Sequence, residues 1–229
     1  MTLQPQCATL YVVGMPIGDM TDITLRALSV MRCAQLILAE HPDHTRKILA
    51  GHDIHTAIER YLPDNTSQYL ELLKAGSNIA LVSDAGMPCI ADPGTALVNA
   101  AWENGLSVDT APGTTALTAA LAISGLFAQR FQFFGFPPRK STDRSEFFKE
   151  IAEYNGTVVI YETRRGLRST MKDLHQRLAP HRKFLVAGGI TTRRAILVRS
   201  TLATIESDDQ PDYRGHTGPF TLVIERSYY

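Results

Sequence analysis

Short apolar runs alternate with amphipathic stretches through the first half of the chain. Thr9-Leu10-Tyr11-Val12-Val13, Leu36-Ile37-Leu38-Ala39 and Ile79-Ala80-Leu81-Val82 read as buried strands, and Leu106-Ser107-Val108-Asp109 as a fourth. Helical spacing runs between them. One helix passes through Leu25, Leu28 and Met31, with Thr21 or Asp22 as its cap. A short one spans Asp43 to Leu49, and another runs from Asn65 to Lys74 and stops at Gly76. Pro93-Gly94 opens a helix from Thr95 to Asn104, and Thr114 to Ser124 forms an Ala/Leu-rich helix ended by Gly125. Strand and helix in strict alternation predict βαβ units and a mostly parallel sheet.

The second half changes rhythm. Phe131 to Phe136 is an aromatic strand whose rings read better as core packing than as a stacking platform for bases. Ser145 to Tyr154 and Leu167 to Leu178 are helical; Thr157 to Glu162, Lys183 to Ala187, Ala195 to Thr201 and Phe220 to Glu225 are strands. Strands without intervening helices predict a mixed sheet. The expected domains are 8–123 and 124–229. Asp208 to Gly218, polar with Gly and Pro, reads as an exposed loop.

Charge narrows the field a little. Lys+Arg and Asp+Glu are 23 each, for zero formal net charge, which argues against bulk-charge binding of long nucleic acids but allows a local basic patch. Cys7, Cys33 and Cys89 form no paired motif, so neither a disulfide framework nor a zinc site is expected. No secretory leader is visible, and no run approaches the ~20 apolar residues of a membrane span. The expectation is a cytoplasmic protein with no membrane partner.

The candidate chemistry lies where strands end. Gly14–Asp19, Ser83–Gly94 and Pro112–Thr115 each combine glycine, proline and small polar residues. In a parallel sheet these loops share the carboxyl edge, where ligands bind. Their glycines allow close backbone approach. Neither GxGxxG nor GxxxxGK[ST] is present, so the ligand fits a zwitterion held by amides and hydroxyls such as Ser83, Thr114 and Thr115.

Three of these segments carry a resemblance. Leu10 to Leu28, Leu81 to Gly94 (with Met87, Cys89 and Ala91 substituted) and Pro112-Gly113-Thr114-Thr115-Ala116 resemble the signatures of the tetrapyrrole-methylase superfamily. Gly135-Phe136-Pro137-Pro138-Arg139-Lys140 and Ile160-Tyr161-Glu162 match two shorter motifs. The likeness runs from about residue 9 to 190 and resumes near the C-terminus. It is strongest to the branch that methylates ribose 2′-hydroxyls of small-subunit ribosomal RNA, and it stops short of that branch's small C-terminal extension.

The resemblance implies a two-domain class III AdoMet methyltransferase fold. Its N-terminal sheet would be mostly parallel and its C-terminal sheet mixed, with a cleft between domains, in a homodimer. The ligand it implies is S-adenosyl-L-methionine (AdoMet), with S-adenosyl-L-homocysteine as product and no metal. Pro16, Gly18, Ser83, Asp84, Ala85, Gly86, Met87, Ile90, Ala91, Thr114, Thr115, Tyr161, Gly188 and Ile190 would hold it. Asp19, Lys47, Arg139 and Lys140 would face the acceptor, and Arg144 and Arg164-Arg165 would extend a basic rim for phosphates.

For catalysis, Glu40 at a strand end is the first candidate for an acid–base or orienting role, with His44 and Arg46 beside it. Glu40 also fits a cap or salt bridge, His44 a surface histidine, and Arg46-Lys47 a solvated helix face. Two segments depart from that branch. His41-Pro42-Asp43 stands where it carries an acidic residue, a threonine and an arginine, and Leu62-Pro63-Asp64-Asn65 where it carries a His/Glu/His/Asn run. Both are expected to face the acceptor. The acceptor is therefore RNA or, alternatively, a tetrapyrrole or other small metabolite. A third reading is an AdoMet-binding module without catalysis.

Overall fold

The computed structural model describes residues 8–206 and 218–226; Cys7 and all of the expected 208–218 loop except Gly218 lie outside the described residues. The chain divides into two compact units, Met1–Thr115 and Ala116–Tyr229.

The first unit contains β1 (Thr9–Val13), α1 (Leu25–Cys33), β2 (Leu36–Ala39), α2 (Pro42–Ala50), β3 (Ile58–Arg60), α3 (Thr66–Lys74), β4 (Ile79–Val82), α4 (Thr95–Glu103) and β5 (Ser107–Ala111). Its sheet has the order β3-β2-β4-β1-β5, and every pairing is parallel. The apolar runs are continuous because helices cover both faces. Leu36, Leu38, Ile79 and Leu81 pack with Tyr69, Leu73 and Leu97 of α3 and α4. Their neighbours Ile37, Ala39, Ala80 and Val82 pack with Met31, Ile48 and Leu49 of α1 and α2. From β1 the chain moves outward through β2 to β3; from β4 it crosses to the opposite side, to β5. The carboxyl ends of the neighbours β1 and β4 thus form a topological switch point.

Two local details differ from expectation. Thr24 caps α1, its hydroxyl accepting from Ala27 N at 3.1 Å, while Thr21 and Asp22 sit in a preceding 3-10 turn. Strand β3 was not foreseen, because an edge triplet with two exposed residues leaves no apolar run.

The second unit contains α5 (Ala116–Ser124), β6 (Phe131–Phe133), α6 (Ser141–Glu153), β7 (Thr157–Glu162), α7 (Arg164–Arg177), β8 (Lys183–Gly188), β9 (Ile196–Thr201) and β10 (Phe220–Ile224). The sheet order is β6-β7-β10-β8-β9. β6 and β7 are parallel, and the other pairs antiparallel. Helix α5 belongs to this unit: Ala120 and Leu121 pack on Val159, Leu185, Ala187 and Val223. The division therefore falls after Thr115, ahead of the expected 123/124. On the other face, Phe148, Ile151, Met171 and Leu174 of α6 and α7 cover Val158, Ile160, Phe184 and Leu222. The aromatic strand is shorter than expected. Phe133 and Phe134 join the two cores, but Phe131 and Phe136 remain 38% and 46% exposed.

Candidate active site

The three glycine-bearing loops of the first unit meet at its carboxyl edge through main-chain atoms. Met15 and Gly86 exchange two backbone hydrogen bonds, at 2.8 and 3.1 Å. Gly14 N donates to Ala111 O at 2.9 Å, and Thr114 Oγ1 donates to Met15 O at 3.0 Å. A Cβ on Gly14 would stand 2.6 Å from Gly113 Cα, and one on Gly113 would stand 2.8 Å from Gly14 Cα. Backbone cannot retreat from such a contact, so both positions require glycine. The Ser83–Gly94 loop is also strained: Cys89 and Ala91 hold φ of 69° and 63°, a region side chains disfavour and one that clusters at ligand sites.

This edge gathers Pro16, Gly18, Ser83, Asp84, Ala85, Gly86, Met87, Thr114 and Thr115; Ile90 and Ala91 are exposed on the same Ser83–Gly94 loop. The main-chain cradle fits a polar ligand. Asp84 Oδ1 adds to that fit, being out of solvent contact with no hydrogen-bond partner: a buried acceptor in want of a donor. Asp19 is exposed and caps the 3-10 turn, its Oδ1 accepting from Thr21 N at 2.9 Å and Thr21 Oγ1 at 2.7 Å.

Strand register builds a titratable cluster beside the cradle. Ala39 of β2 stands opposite Val82 of β4, so Glu40 and His41 leave the sheet next to Ser83 and Asp84. His41 Nδ1 lies 2.7 Å from Asp84 Oδ2. Helix α2 starts at Pro42 and turns His44 back, its Nε2 lying 3.1 Å from Asp84 O. Glu40, His41 and Asp84 bring one donor atom each within 4.8 Å of one another. The imidazole is committed to Asp84, which makes this a hydrogen-bonded pair beside a carboxylate. Asp92 folds back onto the group. Burial, chiefly, and then the Glu40 carboxylate push its pKa up to about 6; the hydrogen bond with Ser83 opposes them, and Asp84 adds a smaller upward push.

The remaining acceptor-facing candidates lie outward. Arg46 Nη1 pairs with Asp43 Oδ1 at 2.7 Å, both exposed, and Lys47 is exposed beside them. Thr45, Ile48 and Leu49 supply the buried face of α2.

In the second unit, β7 and β8 end at the same sheet edge. Tyr161 faces Thr221, and Gly188 faces Phe220. Tyr161 Oη accepts from Leu117 N at 3.1 Å. Ile190 is half-buried between Gly189 and Thr191, whose φ angles are 59° and 71°; for β-branched Thr191 this is strain. Tyr161, Gly188 and Ile190 therefore gather at one edge, as their first-unit counterparts do at theirs.

Glu162, one step past Tyr161, is 5% exposed and fully engaged. It accepts from Thr163 N at 2.6 Å, Thr163 Oγ1 at 3.1 Å and Thr170 Oγ1. Arg144 is not part of a phosphate rim. It donates to Asp173 at 2.8 Å and Thr170 at 2.9 Å and lies over the Phe148 ring. Arg139, Lys140, Arg164 and Arg165 are exposed.

The sequence placed His41 only within a segment facing the acceptor and gave Asp92 no role. The pairing of β2 with β4 was the signal for His41, since it carries the register one step beyond each strand.

Residues 9–206 match the family described as "Tetrapyrrole (Corrin/Porphyrin) Methylases". "Ribosomal RNA small subunit methyltransferase I" of Synechocystis sp. is 41% identical over 199 residues, covering 85% of this chain and 71% of that protein. The protein of the same name from Xylella fastidiosa is 35% identical, covering 95% of this chain and 81% of its own. Among solved structures, that of the methyltransferase CobJ superposes with a TM-score of 0.71 at 18% identity, over 96% of this chain and 95% of that one. At that identity the likeness is one of fold.

Proposed function

The chain belongs to the tetrapyrrole (corrin/porphyrin) methylase family, and from that premise we propose that it transfers a methyl group from AdoMet to a ribose 2′-hydroxyl of small-subunit ribosomal RNA. The observation that carries the donor half is the joining of three small-residue loops by main-chain contacts at the switch point. The names and 41% and 35% identities of the relatives support the acceptor. We further propose a homodimer working in the cytoplasm; among the described residues, no helix is long and apolar enough to cross a membrane.

In the first unit the residues that would hold AdoMet are Pro16, Gly18, Ser83 to Met87, Ile90, Ala91, Thr114 and Thr115. When bound, AdoMet supplies a methyl carbon already activated by a sulfonium, so that position and orientation are the protein's main contributions. The loops, fixed by backbone hydrogen bonds, provide a rigid seat for it. Glu40 orients the acceptor hydroxyl. His44 pins the Asp84 backbone, and Arg46 with Lys47, Arg139 and Lys140 offers exposed cations to RNA phosphates. Asp19 at the rim of the first loop faces the acceptor.

Calorimetry with AdoMet, and competition by S-adenosylhomocysteine, tests the donor site. Transfer of tritiated methyl to unmodified small ribosomal subunits and to uroporphyrinogen tests the acceptor. Label in ribose 2′-O-methyl groups of the RNA is expected; label in uroporphyrinogen alone overturns the acceptor. Glu40→Gln is expected to reduce turnover about 10²-fold while AdoMet affinity holds.

A further inference from the structure

We infer that His41, oriented by Asp84, is the base that takes the proton from the acceptor hydroxyl. The inference rests on the methyl-transfer reading above and deepens it by naming the proton's destination.

Three observations carry it. The first is placement: β2–β4 register puts His41 beside Asp84 at the switch point, on the edge where the three loops converge. The second is orientation. A carboxylate only accepts, so the 2.7 Å contact to Asp84 Oδ2 fixes the proton on His41 Nδ1 and leaves the Nε2 lone pair as the free base. With 59% of its side chain exposed, His41 is open to an incoming hydroxyl. Base and orienting carboxylate are thus arranged as in other nucleophile-activating dyads. The third is the neighbourhood. Glu40 comes from β2, Asp84 and Asp92 from the loop after β4, and His44, Arg46 and Lys47 from α2. Glu40 and Asp84 lie within the same 4.8 Å group as His41, so an imidazolium formed there meets negative charge.

The competing bases are weaker candidates. An ordinary carboxylate is too weakly basic for a hydroxyl at neutral pH, whereas an imidazole is matched to it. His44 donates its Nε2 proton to a neutral carbonyl oxygen, so no carboxylate stands behind it to stabilise an imidazolium, and it serves the loop. In the step itself, the hydroxyl oxygen bonds the methyl carbon and its proton passes to His41 Nε2. The carbon–sulfur electron pair stays on sulfur, leaving a neutral thioether, and the imidazolium later gives its proton to water.

The experiment compares the full-length wild type, His41→Asn and Asp84→Asn. It measures tritiated-methyl transfer to unmodified small ribosomal subunits from pH 5 to 9 and AdoMet affinity by calorimetry. The wild-type rate is expected to rise with pH through one ionisation. His41→Asn is expected to lose about 10²-fold in rate together with that pH limb, while binding AdoMet normally. Asp84→Asn is expected to lower the rate as well, because the imidazole loses the carboxylate that orients it. A His41→Asn enzyme with the wild-type rate and pH limb overturns the inference and leaves the methyltransferase reading standing. So does an Asp84→Asn enzyme with the wild-type rate. Loss of AdoMet affinity in His41→Asn overturns it too, by assigning the residue to the donor site. A wild type that binds AdoMet but labels no subunit overturns the acceptor reading and this inference with it.

Discussion

Asp84 and Glu162 both stand at the carboxyl end of a buried strand, and their surroundings are opposite. Glu162 is enclosed, with three donors from Thr163 and Thr170 meeting its two oxygens. A Cβ on Gly166 would collide with it. Asp84 has a 39% exposed side chain, one oxygen on His41 and the other without a partner. It lies beside Glu40, and both carboxylates push up the pKa of Asp92. A saturated carboxylate is structural mortar. One left partly unsatisfied in a strained loop beside titratable groups is where ligand chemistry is expected.

The sharpest way to break this contrast is to fill the glycine contact of the first unit. Gly14→Ala drives a Cβ into the Gly113 backbone, and a loss of about 3 kcal/mol in urea stability is expected, together with loss of AdoMet binding by calorimetry. Retention of both would mean that the loops are not held by that contact. Next comes the saturated carboxylate. Thr170→Val leaves Glu162 short of a donor and should cost about 2 kcal/mol with AdoMet affinity unchanged; a matching fall in affinity would place Glu162 in the binding site.

Asp92 gives a smaller effect with a definite sign. Folding raises its pKa from 3.8 to about 6, so the folded state holds the proton more tightly. The stability this confers is complete below about pH 4 and is lost as pH rises through about 6. Asp92→Asn should therefore raise stability at pH 7.5 by about 1–2 kcal/mol relative to wild type, after screening of a half-buried group is allowed for. The gain should vanish at pH 4, as urea midpoints at the two pH values will show. A constant difference across pH would remove the carboxylate from the cluster. The smallest expected change is Arg46→Ala. Its surface pair with Asp43 should contribute no more than about 0.5 kcal/mol, yet subunit binding should lose about one phosphate contact from its salt dependence. An unchanged salt slope would confine Arg46 to the helix surface.

Much of the scaffold was readable in the chain, for identifiable reasons. Leu36–Ala39 and Ile79–Val82 announced themselves because both faces of a parallel strand are covered. Ile58–Arg60 did not, because an edge strand with exposed residues has no such signature. Helix Ala116–Ser124 is apolar almost all round, so no face declared which sheet it served; strand–helix alternation assigned it to the first domain, whereas packing puts it on the second. The glycine loops were legible as turns. The contacts that join them, and the pairing of His41 with Asp84 across 43 positions, depend on strand order and register, which local pattern does not encode. Arg144 shows the converse: its charge suggested a rim, but a neighbouring aspartate, a threonine and an aromatic ring hold it in place.

The Gly14–Gly113 and Met15–Gly86 contacts are made by atoms that every amino acid shares. A seat assembled that way depends little on the surrounding side chains, so a substitution at Met87 is expected to leave the three loops joined. Side chains at the neighbouring strand end, His41 among them, can then be exchanged without disturbing the junction, which separates the means of changing chemistry there from the means of holding the loops together.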